Sequence, residues 1–301
     1  MTVGQRPTVR RRRLRSDLRQ RREDAGLTQD QVATAMDWSL SKLVRIEAGS
    51  VGISTNDLRA LLGLYGVQDL DLVNELLDLA RSARQRMWWA GYRDMLGPAY
   101  LEFIGFEAEA STIRYFHPTL IPALLQTEAY ARAIISGGAR TPYEPDQIDT
   151  LVDVRLTRIS SVLDRDEPPE LVMILDEAVV HRLVGGPAVM REQLAHLVDM
   201  ASRPYATIRL IPFETGAHPG SYGSFALLEF TDPTDDVVLY LESAPTDMVL
   251  RDRPAEITMY RGVFDLLLDV ALSEEDTVAR LERVAAGLTR RHESVTARHP
   301  A

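Results

Sequence analysis

The sequence has no cysteine, a single lysine (Lys42), and no apolar run longer than five residues, Leu171 to Leu175 among them. Without cysteine there are no disulfides, iron–sulfur clusters, thiolate zinc sites or thiol nucleophiles. With one lysine, in a polar segment, there is no Walker phosphate loop, Schiff-base lysine or kinase-type lysine elsewhere. The short apolar runs fall well below the roughly 18 residues of a bilayer-spanning helix, and no hydrophobic stretch follows the basic start. A soluble, cytoplasmic chain is expected, with no membrane contact.

What remains is ordinary globular composition: 301 residues, 45% hydrophobic and 26% charged. At roughly 150 residues per domain this predicts about two domains. The net charge of −10 is unevenly spread. Residues 1–50 carry 11 basic against 6 acidic side chains, a balance of +5, so the rest of the chain carries −15. A basic head on an acidic body points to a polyanion-binding module joined to a domain with another task.

Residues 1–13 lack periodicity and end in Arg10, Arg11, Arg12 and Arg13, which reads as a mobile basic arm able to contact DNA. Leu14, Leu18 and Ala25 share one helical face, and Gly26 ends that helix. Thr28 to Gln31 reads as a capping box opening a short second helix with Val32 and Met36 inward. After a tight turn at Asp37 to Ser39, Leu43 and Ile46 face inward and Ser41, Lys42 and Arg45 outward, until Gly49 stops the third helix. Thr55 is read as the cap of a fourth helix, and a fifth runs from about Asp69 to Arg86.

Beyond Trp88 and Trp89, expected to pack the two domains together, the pattern predicts helices at 99–115, 127–135, 145–163 and 187–201. Strands are predicted at 171–175, 206–211, 225–230 and 237–241, then helices at 255–272 and from Glu274 to about Arg290. The expected fold is an all-α helix-turn-helix N-terminal domain plus a mixed α/β C-terminal domain of short sheet strands with flanking helices. The divisions are an arm at 1–13, a DNA-binding domain at 14–87, a linker at 88–98 and a regulatory or interaction domain at 99–301.

Two short helices joined by a tight turn, the second with a small, polar, basic outer face, match a helix-turn-helix. Leu27 to Ala33, Ser39, Ser41, Leu43, Arg45 to Glu47 and Gly49 resemble the Cro/C1-type (XRE-like) helix-turn-helix family over roughly residues 14 to 66. The resemblance implies that Leu40, Ser41, Val44 and Arg45 read bases and that Gln29 holds a phosphate. It also implies that Arg22 and Glu47 form a scaffold pair. Thr28 and Ser39 join Gln29 as phosphate candidates, and Lys42 serves either phosphate or base. Arg45 suits a bidentate pair with guanine, and Leu40 or Val44 a thymine methyl. The chain departs from the family at Asp37, where glycine is usual, and at Val44, where a small polar residue is common.

From Trp88 onward the chain resembles the uncharacterised C-terminal region of actinobacterial WhiJ-like regulators. The matching segments include Glu107 to Ser111, Pro122 to Glu128, Leu175 to Ala178, Val184 to Pro187, Ile211 to Phe213, Gly216 to His218 and Tyr240 to Glu242. This implies a transcription regulator, often paired with a small protein encoded nearby in an antitoxin-like arrangement. His117, His181, His196, His218, His292 and His299 show no metal-ligand spacing, and no nucleophile elbow occurs. No enzyme activity, cofactor or metal is expected, and paired acids such as Asp176 and Glu177, and Asp235 and Asp236, are read as solvated. His218 and Tyr222, in a glycine-rich loop, are the candidates for a ligand or partner site. The functional expectation is a homodimeric, sequence-specific regulator of double-stranded DNA, tuned by a small protein or ligand. The alternative is an antitoxin-like factor that sequesters a small partner and autoregulates its operon.

Overall fold

The computed structural model describes residues 7–49, 51–82, 88–92, 95–138, 142–232, 237–242, 248–251 and 253–296. Contacts divide the chain into two units, Met1–Tyr92 and Arg93–Ala301.

The first unit is helical: α1 (Pro7–Asp24), α2 (Gln29–Ala35), α3 (Leu40–Glu47), α4 (Thr55–Leu64) and α5 (Leu70–Ser82). Its core gathers Leu14, Leu18, Val32, Leu43, Ile46, Leu58, Leu61, Leu62, Leu76 and Leu77, the periodic apolar positions of all five helices. A one-turn 3-10 helix, Trp88–Tyr92, ends the unit, with the Trp88 and Trp89 rings edge to face at 5.4 Å.

The expected arm is corrected here. α1 begins at Pro7, so Arg10 to Arg13 lie within a helix. Thr8, Val9 and Arg12 are buried, and Arg13 pairs with Glu75 of α5. An arginine run that finds an acidic partner and burial on a neighbouring helix has no reason to stay extended. Residues 1–6 lie outside the described residues. At α4 the cap is Ser54 rather than Thr55, its hydroxyl accepting from the Asp57 amide at 3.0 Å. The expected end of the fifth helix, residues 83–86, also lies outside the described residues.

The second unit runs α6 (Pro98–Glu107), β1 (Thr112–His117), α7 (Glu128–Gly138), α8 (Pro145–Leu163), β2 (Glu170–Asp176), α9 (Ala178–His181) and α10 (Pro187–Ala201). It continues with β3 (Ala206–Ile211), β4 (Ser224–Glu229), β5 (Val238–Glu242), β6 (Met248–Arg251), α11 (Pro254–Val270) and α12 (Glu274–Thr296). The strands form one mixed sheet in the order β3-β2-β1-β4-β5-β6. β3, β2 and β1 are parallel, joined through helices, and β1, β4, β5 and β6 are antiparallel neighbours. Proline at the first turn of α6, α8, α10 and α11 marks helix starts, where its missing N–H costs nothing.

The single helix expected at 99–115 is corrected. α6 stops at Glu107, and Thr112–His117 is a central strand buried on both faces. Phe116, with Val172, Ile174, Phe225, Leu227 and Leu239, packs under Ile257, Phe264 and Leu267 of α11. On the other face Tyr115 is buried, and the Tyr240 ring stacks on Phe103 of α6 at 3.7 Å.

Beside that stack lies an ion pair with both partners out of water. The side chains of Glu107 and Arg158 are 0% and 4% exposed and meet through two hydrogen bonds, at 2.5 and 2.8 Å. The Arg158 guanidinium also donates to the Tyr100 hydroxyl at 2.7 Å. Burial works against the charge on Arg158, but Glu107 outweighs it and holds the guanidinium protonated. Removing one partner leaves an uncompensated buried charge, so Glu107→Gln is expected to cost about 3–5 kcal/mol in urea unfolding of the full chain. The exposed Glu170→Gln serves as control and is expected to change stability by no more than about 0.5 kcal/mol.

Candidate nucleic-acid interface

α3 has only eight residues, too few to be stable alone, so contacts at both ends and underneath must fix its orientation. Underneath, Leu43 and Ile46 are buried in the core. At its start the Ser39 hydroxyl accepts from the Lys42 amide at 3.2 Å. At its end Glu47 receives Arg22 of α1 through two bonds, Nε to Oε1 at 2.7 Å and Nη2 to Oε2 at 3.2 Å. Gln29 of α2 donates to the same carboxylate at 2.8 Å, and Arg22 Nη1 donates to the Leu27 carbonyl at 2.9 Å. The hydrogen bond to Glu47 raises the Arg22 pKa further, so the guanidinium stays protonated. One carboxylate thus joins α1, α2 and α3.

The capping box of α2 is formed: Thr28 Oγ1 accepts from the Gln31 amide at 3.2 Å, and Gln31 Oε1 accepts from the Thr28 amide at 2.9 Å. The turn to α3 closes with the Trp38 amide donating to the Ala33 carbonyl at 2.8 Å. Asp37 holds φ at +54°, the left-handed region in which glycine is unstrained, and among the described residues no other non-glycine residue has positive φ.

This scaffold turns Leu40, Ser41, Val44 and Arg45 outward on one face, with Leu40 45% and Val44 41% exposed. Among the described residues, the Arg45 guanidinium has no hydrogen-bond or ion-pair partner, so its planar fork is available to a ligand. Lys42 lies differently. Its ammonium is 3.2 Å from Asp57 of α4 and 3.8 Å from the centroid of the Trp38 ring, tying α3 to the turn before it and the helix after it. Both partners of that ion pair are more than a third exposed, so its net worth is well under 1 kcal/mol.

The phosphate candidates keep donor capacity. Thr28 and Ser39 accept backbone bonds and retain hydroxyl protons, and the Gln29 amide has a second N–H beyond the one given to Glu47. Arg10 to Arg13 are in α1, and neither the buried Arg12 nor the paired Arg13 is a free cation.

In the second unit the structure separates His218 from Tyr222. The His218 side chain is 5% exposed, its Nε2 is 3.1 Å from Asp176 Oδ2, and its ring meets the edge of Phe116. Gly220 lies so close to Phe116 that a Cβ there would fall 2.4 Å from the ring. Tyr222 is 97% exposed. His218 therefore fixes the loop to the sheet, while Tyr222 of the same loop faces solvent.

Sequence reasoning missed what surrounds His218, and the reading of Asp176 and Glu177 as a solvated pair is corrected: Glu177 is buried, accepting from the Phe213 amide at 2.8 Å, and Asp176 is held by His218. The carboxyl ends of β1, β2 and β5 carry three histidine–carboxylate contacts: His117 with Glu242 at 3.5 Å, His218 with Asp176, and His181 with Glu177 at 3.3 Å. Burial pulls Glu177 up, but the Phe213 amide, Arg280 and His181 outweigh it and hold the carboxyl below its ordinary pKa. The available signal was the position of these residues at strand ends. Among the described residues no group of three or more acids and histidines is arranged to hold a metal, and no helix is long and apolar enough to cross a membrane. His292 and His299, with Asp235 and Asp236, lie outside the described side chains.

Residues 13–76 match the family described as Helix-turn-helix domain. Residues 100–283 match the family described as Domain of unknown function (DUF5753). No curated protein and no solved structure matches the chain.

The strained turn makes a stability prediction. Asp37→Gly is expected to stabilise the helical unit by about 0.5–1 kcal/mol, the left-handed strain exceeding the added freedom of the unfolded chain. An unchanged or lower unfolding midpoint at constant urea m-value would contradict it.

Proposed function

The chain belongs to the DUF5753 family and carries a helix-turn-helix domain ahead of that region, and we propose that it is a sequence-specific transcription regulator of the Cro/C1 type. The observation that carries this reading is the outward face of α3, where two exposed apolar side chains, a serine and an arginine without a partner among the described residues sit on a helix held by buried contacts. Arg45 pairs with a guanine edge, Ser41 bonds a neighbouring base, and Leu40 and Val44 meet thymine methyl groups. Gln29, Thr28 and Ser39 set the register on phosphates. Lys42 acts on the protein side, holding α3 at its angle to α4. The activity is binding, without turnover.

One recognition helix reads only a few base pairs, so the regulator works as a homodimer on an inverted repeat with half-sites about 34 Å apart or a multiple of it. The acidic α/β region is the regulatory part, a receiver for a small protein or ligand of the kind found with WhiJ-like regulators. Its negative balance keeps it off DNA.

Selection of bound fragments from the source genome, wild type beside Arg45→Ala at near-physiological salt, tests the proposal. The wild type is expected to enrich an inverted repeat. On the recovered site Arg45→Ala costs about 1–3 kcal/mol and relaxes one base preference, with non-specific binding little changed. Equal losses on cognate and random DNA would remove Arg45 from base reading.

A further inference from the structure

Between α11 and strands β1 and β4 lies a cavity of about 250 Å³, lined by Arg114 of β1, Glu229 of β4, and Arg261, Phe264 and Asp265 of α11. Arg114 is out of character for its position. It sits in the central strand, on the face that α11 covers, in one row with the buried Val172 of β2 and Leu227 of β4. A covered sheet position between two apolar neighbours calls for an apolar side chain. The stem instead carries the guanidinium to 5.9 Å from the centroid of the buried Phe264 ring, with 31% of the side chain exposed. Glu229 does not account for it. Its Oε1 is 3.7 Å from Arg114 Nε, beyond hydrogen-bond distance, and accepts instead from Arg261 Nη2 at 3.1 Å. Among the described residues none of the Arg114 side-chain N–H groups donates a hydrogen bond, and the Asp265 carboxylate has neither a hydrogen-bond nor an ion-pair partner.

We propose, resting on the reading of the α/β region as a receiver, that this cavity is its ligand site and takes a small zwitterion: a carboxylate and an ammonium on one molecule, as in a free α-amino acid. Arg114 offers Nη1 and Nη2 side by side, the fork that receives a carboxylate through two parallel bonds. Asp265 supplies the acceptor for the ammonium. Arg261 stays with Glu229, and the Phe264 ring gives an apolar wall. Charge selects this class of ligand. The two arginines and two acids of the lining already balance, so a zwitterion adds no net charge. A phosphate or a dicarboxylate would stand beside Glu229 and Asp265 uncompensated, and a simple amine would leave the Arg114 fork empty. Volume sets the size. The cavity holds about eight waters at roughly 30 Å³ each and falls below the roughly 300–1,000 Å³ of pockets for drug-sized ligands, which leaves no room for a nucleotide.

Calorimetric titration of the full chain without DNA, with the standard α-amino acids one at a time, tests the site. At least one is expected to bind at millimolar concentration or below. Its amide, which lacks the carboxylate, and its N-acetyl derivative, which lacks the ammonium, should each bind more weakly by about tenfold or more, the worth of a hydrogen bond to a charged group. The variants divide in the same way. Arg114→Gln should weaken the amino acid by about tenfold or more and leave the affinity for the amide unchanged. Asp265→Asn should weaken the amino acid to a similar degree and leave the affinity for the N-acetyl derivative unchanged. Because Asp265 is exposed and has no partner among the described residues, Asp265→Asn is expected to keep the melting midpoint, which separates loss of binding from loss of fold. Succinate or the N-acetyl derivative binding as tightly as the amino acid overturns the zwitterion assignment. An amino acid that binds both variants as tightly as the wild type overturns this site while leaving the region a receiver. No amino acid bound at millimolar concentration overturns the proposal and leaves base reading by α3, measured separately by fragment selection, standing.

Discussion

α3, the second helix of the helix-turn-helix, is held at its end by one carboxylate. Glu47 stands at the C-terminus of α3, where the helix dipole disfavours an acid, and it is retained there by the bidentate Arg22 and by Gln29. These three partners come from three helices, so the contact fixes the rotation of α3 against α1 and α2. Leu43 and Ile46 fix its depth. Every outward side chain then follows from the helical period: Leu40 and Val44 share one row, Ser41 and Arg45 the next. A pair with both side chains at or below 10% exposure contributes little net stability beyond what packing gives, but breaking it strands a charge. Its value lies in specifying one orientation.

Much of this was legible in the sequence because local signals and tertiary contacts agree. The capping box at Thr28 and Gln31, the Ser39 cap and the positive φ of Gly26 and Gly49 set the ends of the first three helices. Pro145 and Pro187 placed α8 and α10 to the residue, and the alternating run 206–211 gave β3 intact. Legibility failed where a tertiary partner overrides the local pattern. The arginine run at 10–13 reads as solvated until α5 supplies Glu75 to Arg13 and the fold buries Arg12. Thr112–His117 follows a helical segment without a turn residue, and its strand character comes from pairing with both β2 and β4. The edge strand β6 is four residues long and gave no pattern to count. At the site, side-chain types pointed to a DNA-facing surface, but the engagement of Lys42 with Asp57 and Trp38 depends on α4, which no motif fixes.

The second unit solves a different problem. A sheet parallel on one side of β1 and antiparallel on the other needs cover on both faces, and α11 gives one face its apolar lid. Glu107 pairs with Arg158, and the part-buried Arg209 of β3 donates to the carbonyls of Ala271 and Leu272, just past the end of α11, at 2.7 and 2.6 Å.

The most direct test of the account is methylation interference on the DNA site recovered for this protein. If α3 enters the major groove as proposed, methylation at guanine N7 within each half-site is predicted to block binding, while methylation at adenine N3 in the minor groove there leaves it intact. Interference confined to adenine N3, or none from guanine N7, would contradict a base-reading role for the exposed face of α3.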